Sequence, residues 1–265
     1  VVWWNKAIIS GNTRAMFNLG VAYANGENGL TQSFTKSNGL YALAAEKGHA
    51  TARYNLGIRY YHGRGVEIDF NRCVELWEQS AKQGDVDAQH SLSIMYRNGS
   101  QDGPPMTIPI NHKLDFKWCM AAAENGHAGA MNDIGVRYEN NGTTGVDQNL
   151  ETALGWYIRS AVKGNSHGQN NLGTYYEEGK GTITVDLVQA LHWFQEAAAQ
   201  ELPRAQFSVG YFYEHGRGGV EVDLEQALHW YQKAAAQEHT RAMEAVARLS
   251  SRIKLIKLNN ILKKN

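Results

Sequence analysis

Between Pro203 and His239 apolar and polar residues fall into two short helical patterns separated by a glycine-bearing turn. In the first, Ala205, Val209, Gly210 and Tyr213 recur at helical spacing, and Gly216 stands where a left-handed residue closes a helix. In the second, Asp223 is placed to cap a new helix, with Gln226 three residues on, and Ala227, Trp230, Ala234 and Ala235 form one apolar face. The pattern predicts a helix-turn-helix unit. Two such helices cannot cover their own apolar faces, so the unit requires neighbours.

The same unit recurs along the chain. Its glycine position is filled in turn by Gly20, Gly57, Ser93, Gly135, Gly173, Gly210 and Ala247, at intervals of 37, 36, 42, 38, 37 and 37 residues. Three residues later stand Tyr23, Tyr60, Tyr96, Tyr138, Tyr176 and Tyr213. A bulky position on the second helix, held by Trp3, Leu40, Leu76, Trp118, Trp156, Trp193 and Trp230, keeps the same irregular intervals. Seven residues before it come Ser33, Asp69, Asn111, Asn149, Asp186 and Asp223, all good N-cap residues. Landmarks that share one irregular ruler mark a true repeat.

The predicted architecture is therefore all-α, one α/α solenoid domain over residues 1–265. It comprises a partial repeat at 1–11, six repeats at 12–48, 49–84, 85–126, 127–164, 165–201 and 202–238, and a capping helix over 239–265. Trp3 already belongs to a second helix, so the first repeat is expected to have been trimmed. The third repeat carries the longest connector, Gly99 to Asn111, with Pro104, Pro105 and Pro109; it reads as a tolerated excursion on one edge. Glu201 and Glu238 replace the glycine that ends the second helix, which is expected to weaken that stop, with Pro203 enforcing it instead.

Charge changes this picture only at the end. The net charge is zero, but from Arg241 onward seven basic residues face one acid, leaving 19 basic and 25 acidic residues before it. An acidic body argues against nucleic-acid binding, and the basic tail reads as the polar face of the capping helix. No apolar run is long enough to span a bilayer. Cys73 and Cys119 are expected as two buried free thiols, lying out of phase by about one helical turn.

The pattern resembles the Sel-1-like repeat family, relatives of the tetratricopeptide repeats. The matching residues are the Ala, Leu-Gly, Tyr, Gly-x-Gly-Val and Asp landmarks from Ala52 through Asp69, and the Ala-Leu-His-Trp-x-x-x-Ala-Ala runs at Ala190 to Ala198 and Ala227 to Ala235. The resemblance implies a right-handed superhelix that binds proteins or peptides. It also brings two narrower readings, a bacterial immunity protein that inhibits a secreted toxin enzyme and an adaptor or activating subunit of a membrane-associated enzyme. By the same likeness, a bacterial periplasm or cell envelope is favoured over the cytoplasm.

No catalytic constellation is visible, and no cofactor or metal is implied. The Gly-x-Gly turns lack the spacer and Lys-Ser/Thr of a phosphate loop, and His192 and His229 are copies of one repeat position. What remains is the exposed face of the first helices. One row runs Phe17, Tyr54, His90, Asn132, Asn170 and Phe207; a second includes Ile58, Ile94, Thr174 and Tyr211; a third includes Ala24, Tyr61, Arg97, Glu139, Glu177 and Glu214. These rows predict a groove that is aromatic toward the N-terminal end and acidic toward the C-terminal end. Phe17, Tyr54, Tyr61, Phe207 and Tyr211 would anchor a partner protein or peptide, with Glu139, Glu177, Glu178 and Glu214 tuning the fit. The chain is expected to be non-enzymatic and monomeric on its own.

Overall fold

The computed structural model describes residues 2–100, 108–140 and 146–262, and every regular element among them is an α-helix. Packing divides the chain into two compact units, Val1–His127 and Ala128–Asn265. The first holds α1 (Val2–Ile9), α2 (Thr13–Asn25), α3 (Phe34–Glu46), α4 (Ala50–His62), α5 (Phe70–Ala81), α6 (Val86–Asn98) and α7 (His112–Glu124). The second holds α8 (Ala128–Glu139), α9 (Leu150–Val162), α10 (Ser166–Glu178), α11 (Leu187–Ala199), α12 (Pro203–His215), α13 (Leu224–Ala235) and α14 (Thr240–Leu262). In each unit the helices pair as antiparallel hairpins, and the second helix of one hairpin packs on the first helix of the next.

The repeated glycine exists because a ring lies on it. A Cβ added at Gly57 would come within 2.5 Å of Trp77, and at Gly20, Gly135, Gly173 and Gly210 within 2.7 to 2.8 Å of Tyr41, Tyr157, Phe194 and Tyr231. These five aromatics are all buried, and each contributes on the order of 2 to 3 kcal/mol of transfer free energy. They follow the bulky position by one residue. Trp156, Trp193 and Trp230, the obvious landmarks, are only half-buried. In the third repeat both sides of the contact change together: Ser93 replaces the glycine and Cys119 the ring, and both are fully buried. Cys119 is thus in phase with the aromatic position, and both cysteines are free and buried. Burial pushes the Cys73 thiol well above its ordinary range.

Local chemistry sets the helix ends. Ser33, Asp69, Asn111, Asn149, Asp186 and Asp223 all accept a backbone N–H of the first turn of the helix they cap. Their own N–H groups donate to the carbonyls of Tyr23, Tyr60, Tyr96, Tyr138, Tyr176 and Tyr213, at 2.7 to 3.0 Å. One backbone bond therefore fastens the connector back to the first helix in every hairpin. The second glycine of each Gly-x-Gly turn meets the hairpin before it: a Cβ at Gly218 would lie 2.6 Å from the Leu187 carbonyl, and at Gly65 2.7 Å from Phe34. The proline-bearing connector lies mostly outside the described residues, but at its ends the Ser100 N–H donates to the Ile108 carbonyl at 3.0 Å.

Glu201 and Glu238 hold the stop in the glycine conformation themselves. They adopt φ of 63° and 61°, the left-handed conformation that Gly48, Gly84, Gly126 and Gly164 adopt at the same position. The stop is kept, at the energetic cost of placing a Cβ there. The C-terminal helix α14 buries Ala242, Ala245 and Leu249, with Ile253 also packed on the last core cluster, and its Lys257 pairs with Glu225 of α13 at 2.8 Å. Beyond Ile253 its leucines 255, 258 and 262 are exposed.

Candidate partner-binding surface

In the first unit the row Phe17, Tyr54, His90 is wedged between helices. The Phe17 ring stacks on His49 at 4.9 Å, Tyr54 packs on Trp77 and shares a hydrogen bond with Ser91 at 3.2 Å, and His90 lies 4.1 Å from His127. Phe17 is therefore a spacer between repeats and not a free anchor. His49 caps α4 with Nδ1, accepting the Ala52 N–H at 3.2 Å, and burial and Arg14 hold its pKa below the ordinary histidine value. The open surface belongs to the next rows. Tyr61 is 39% and Ile94 40% exposed, Ile58 is half-buried, and Tyr61 stacks on Trp77 at 5.9 Å. Between α4 and α6, Tyr61 and Ile94 border a cleft of about 110 Å³ that Trp77 and Met95 also line. Arg97, in the same row as Tyr61, turns toward the buried Asp115 at 3.6 Å, and Ser93 donates to that carboxylate at 2.7 Å.

In the second unit Asn170 is buried, Asn132 accepts from Asn171 at 2.9 Å, and Phe207 is held between Tyr231 and His239 at 5.3 and 5.0 Å. Phe207 thus repeats the role of Phe17. The expected acidic face is not a field of free carboxylates. Glu139 accepts from the Tyr157 hydroxyl at 2.7 Å and from Lys180 at 3.3 Å, and Glu178 pairs with Lys180 at 2.7 Å. Glu177 pairs with Arg217 at 2.5 Å. Glu214, with its side chain 3% exposed, accepts from the Tyr231 hydroxyl at 2.9 Å and from Arg248 at 2.8 Å. The Arg248 hydrogen bonds hold Glu214 below the usual carboxylate range, while burial pushes the Tyr231 phenol upward.

Glu139 and Glu177 thus meet a cation from the following repeat and Glu214 one from the C-terminal helix α14, so the row is a set of ties between successive hairpins and the cap. Lys180 and Arg217 are the middle residues of Gly-x-Gly turns; Arg64 at the same place was the available signal. Only Tyr211, 36% exposed, and Glu178 remain on the surface from the expected C-terminal set. Tyr211 borders a cleft of about 570 Å³ between α10, α12 and α14, whose rim also carries Arg204 and Arg241. Among the described residues no three of His, Cys, Asp and Glu are placed to hold a metal ion, and no helix is long and apolar enough to cross a membrane.

Stacked hairpins closed by glycine-on-ring contacts, with clefts between successive first helices, define a helical-repeat protein of the α/α class. The Sel1 repeat matches this chain six times, at residues 13–49, 50–85, 86–127, 128–165, 166–202 and 203–239, and the chain belongs to the Sel1 repeat family. Among solved structures it is similar to c5321, a protective antigen of uropathogenic Escherichia coli with an SLR fold. That likeness has a TM-score of 0.81 and 29% identity, over 94% of this chain and 51% of the other. A Sel1 repeat protein from Oxalobacter formigenes follows with a TM-score of 0.71 and 28% identity, over 84% and 85% of the two chains. Chitin synthase regulatory factor 3 of Schizosaccharomyces pombe is 29% identical over 62% of this chain, and that stretch is 18% of its length. The chain thus corresponds to a small part of that relative.

Proposed function

We propose that the protein is a non-enzymatic scaffold that holds a segment of another protein against the faces of its first helices, and that alone it is a monomer. The observation that carries this reading is the pair of clefts bordered by Tyr61 with Ile94 in one unit and by Tyr211 in the other, aromatic side chains left partly open. Partly open aromatics beside a recess are the positions at which partner side chains gain most on burial. The test compares partner capture from the native source by wild type and by Tyr61→Ala/Tyr211→Ala, both shown to be folded. Loss of about 2 kcal/mol at a hot spot, roughly thirtyfold in affinity, is expected. Partners kept equally by both proteins would refute the assignment.

The similarity to a chitin synthase regulatory factor favours one narrower reading, an adaptor or activating subunit of a membrane-associated enzyme. It predicts recruitment to membranes only when the partner enzyme is present. Inhibition of a secreted toxin, the other narrower reading, predicts one-to-one abolition of that enzyme's turnover, which an adaptor does not produce.

A further inference from the structure

We infer that the cleft between α10, α12 and α14 takes an acidic segment of the partner protein, its carboxylate facing Arg204 and Arg241 and a neighbouring apolar side chain lying on Tyr211. The inference rests on the scaffold reading and names the chemistry of its partner. Its basis is a charge inventory. The acids of the cleft are already matched, Glu177 by Arg217 and Glu178 by Lys180. Further along, Arg248 is committed to Glu214 and Lys257 to Glu225.

Arg204 and Arg241 line the same recess, are exposed, and are ion-paired to no carboxylate among the described residues. Glu244, one turn beyond Arg241, is likewise in no ion pair there. The Arg241 guanidinium lies 4.9 Å from the centre of the Phe207 ring, which itself stacks on His239, so the cation is seated on a rigid aromatic floor. Both cations act on one place: each lowers the pKa of His239, after burial.

The arrangement is confined to this end of the unit. The positions equivalent to Arg204 and Arg241 in α8 and α10 are Gly129 and His167. Two unmatched guanidiniums beside the partly open Tyr211 ring favour a carboxylate with an apolar neighbour, since Arg pairs with carboxylates through a fork of N–H donors. A protein segment fits better than a lipid surface because Phe207 and the other apolar groups are recessed in the cleft and do not project from it.

The test is selection of displayed random peptides on immobilised wild type and on R204E/R241E, whose fold is checked by circular dichroism. Wild type is expected to enrich peptides with Asp or Glu beside an aromatic or aliphatic residue. The best such peptide should lose about tenfold in affinity for each arginine reversed, and as much when its acids become amides. No enrichment on wild type, acidic peptides held equally by R204E/R241E, or arginine-dependent sedimentation with phosphatidylserine vesicles in place of peptide binding would overturn the inference. Enriched peptides that lack acids, and are lost with Tyr211→Ala, would also overturn it while leaving the scaffold standing. The scaffold itself falls only if partner capture ignores Tyr61→Ala/Tyr211→Ala.

Discussion

Replacing Gly210 with alanine adds one methyl group at a place where the structure has no room for it. The new Cβ would lie 2.8 Å from two ring carbons of Tyr231 and 3.2 Å from the Ala227 carbonyl oxygen. Carbon atoms in contact sit about 3.5 to 4.0 Å apart, so the ring must retreat by roughly 0.7 Å or more. It is not free to do so. Tyr231 is 1% exposed and its hydroxyl is tied to Glu214, which Arg248 holds in turn.

Overpacking of this kind costs about 1 to 3 kcal/mol, and alanine returns about 1 kcal/mol of helix propensity, leaving a net loss of about 1 kcal/mol and at most about 2. In a Tyr231→Ala background, itself destabilised by about 3 to 5 kcal/mol, the clash is absent and the same Gly210→Ala change should stabilise by up to about 1 kcal/mol. Urea denaturation of the four proteins in this cycle reads the reversal directly. The third repeat, with Ser93 opposite Cys119, is the natural version of the paired change. Additive effects, or stabilisation by Gly210→Ala in the wild-type background, would refute the glycine-on-ring explanation.

Glu201→Gly and Glu238→Gly should each stabilise the protein by about 1 kcal/mol, because the left-handed backbone costs a side chain about 1 to 2 kcal/mol while glycine's extra freedom takes part of that back; thermal melts check this. His49 and His239 cap their helices through Nδ1 and have lowered pKa values, so the unfolded chain takes up their protons first. Their contribution is complete above the unfolded value of 6.5 and is lost as pH falls below it, and His49→Asn/His239→Asn, which keeps an acceptor, should flatten that slope in urea melts between neutral and mildly acidic pH. Arg248→Met should cost about 2 kcal/mol by leaving Glu214 with only the Tyr231 hydroxyl, short of the penalty for a fully buried pair because the Arg248 side chain is 56% exposed. Since the Glu214 pKa is lowered, that difference should be present near neutral pH and shrink as pH falls below the unfolded value of 4.5; a difference unchanged in acid would sink the assignment.

Much of this molecule is legible in one dimension because its contacts are local. A hairpin of two helices and a turn lies within some 37 residues, so cap residues, stop glycines and apolar faces repeat at a spacing that can be read off directly. Ser33 and Asp223, read as caps, do cap, and Gly216 ends its helix at φ 62°. The order of the hairpins follows from the same repetition.

Which side of each helix faces inward at finer resolution did not follow. Trp156 and Tyr157 are adjacent and similarly apolar, yet only Tyr157 meets the glycine of the partner helix, a matter of rotation about the helix axis. Charge was still less readable. Glu177 and Arg217 are 40 residues apart and Glu214 and Arg248 are 34 apart, so nothing in their spacing distinguishes a tie between repeats from a solvated face. Those pairings arise only when one hairpin is laid on the next. It is the stacking that ties Glu139, Glu177 and Glu214 to cations and leaves Arg204 and Arg241 unmatched at the edge of a cleft.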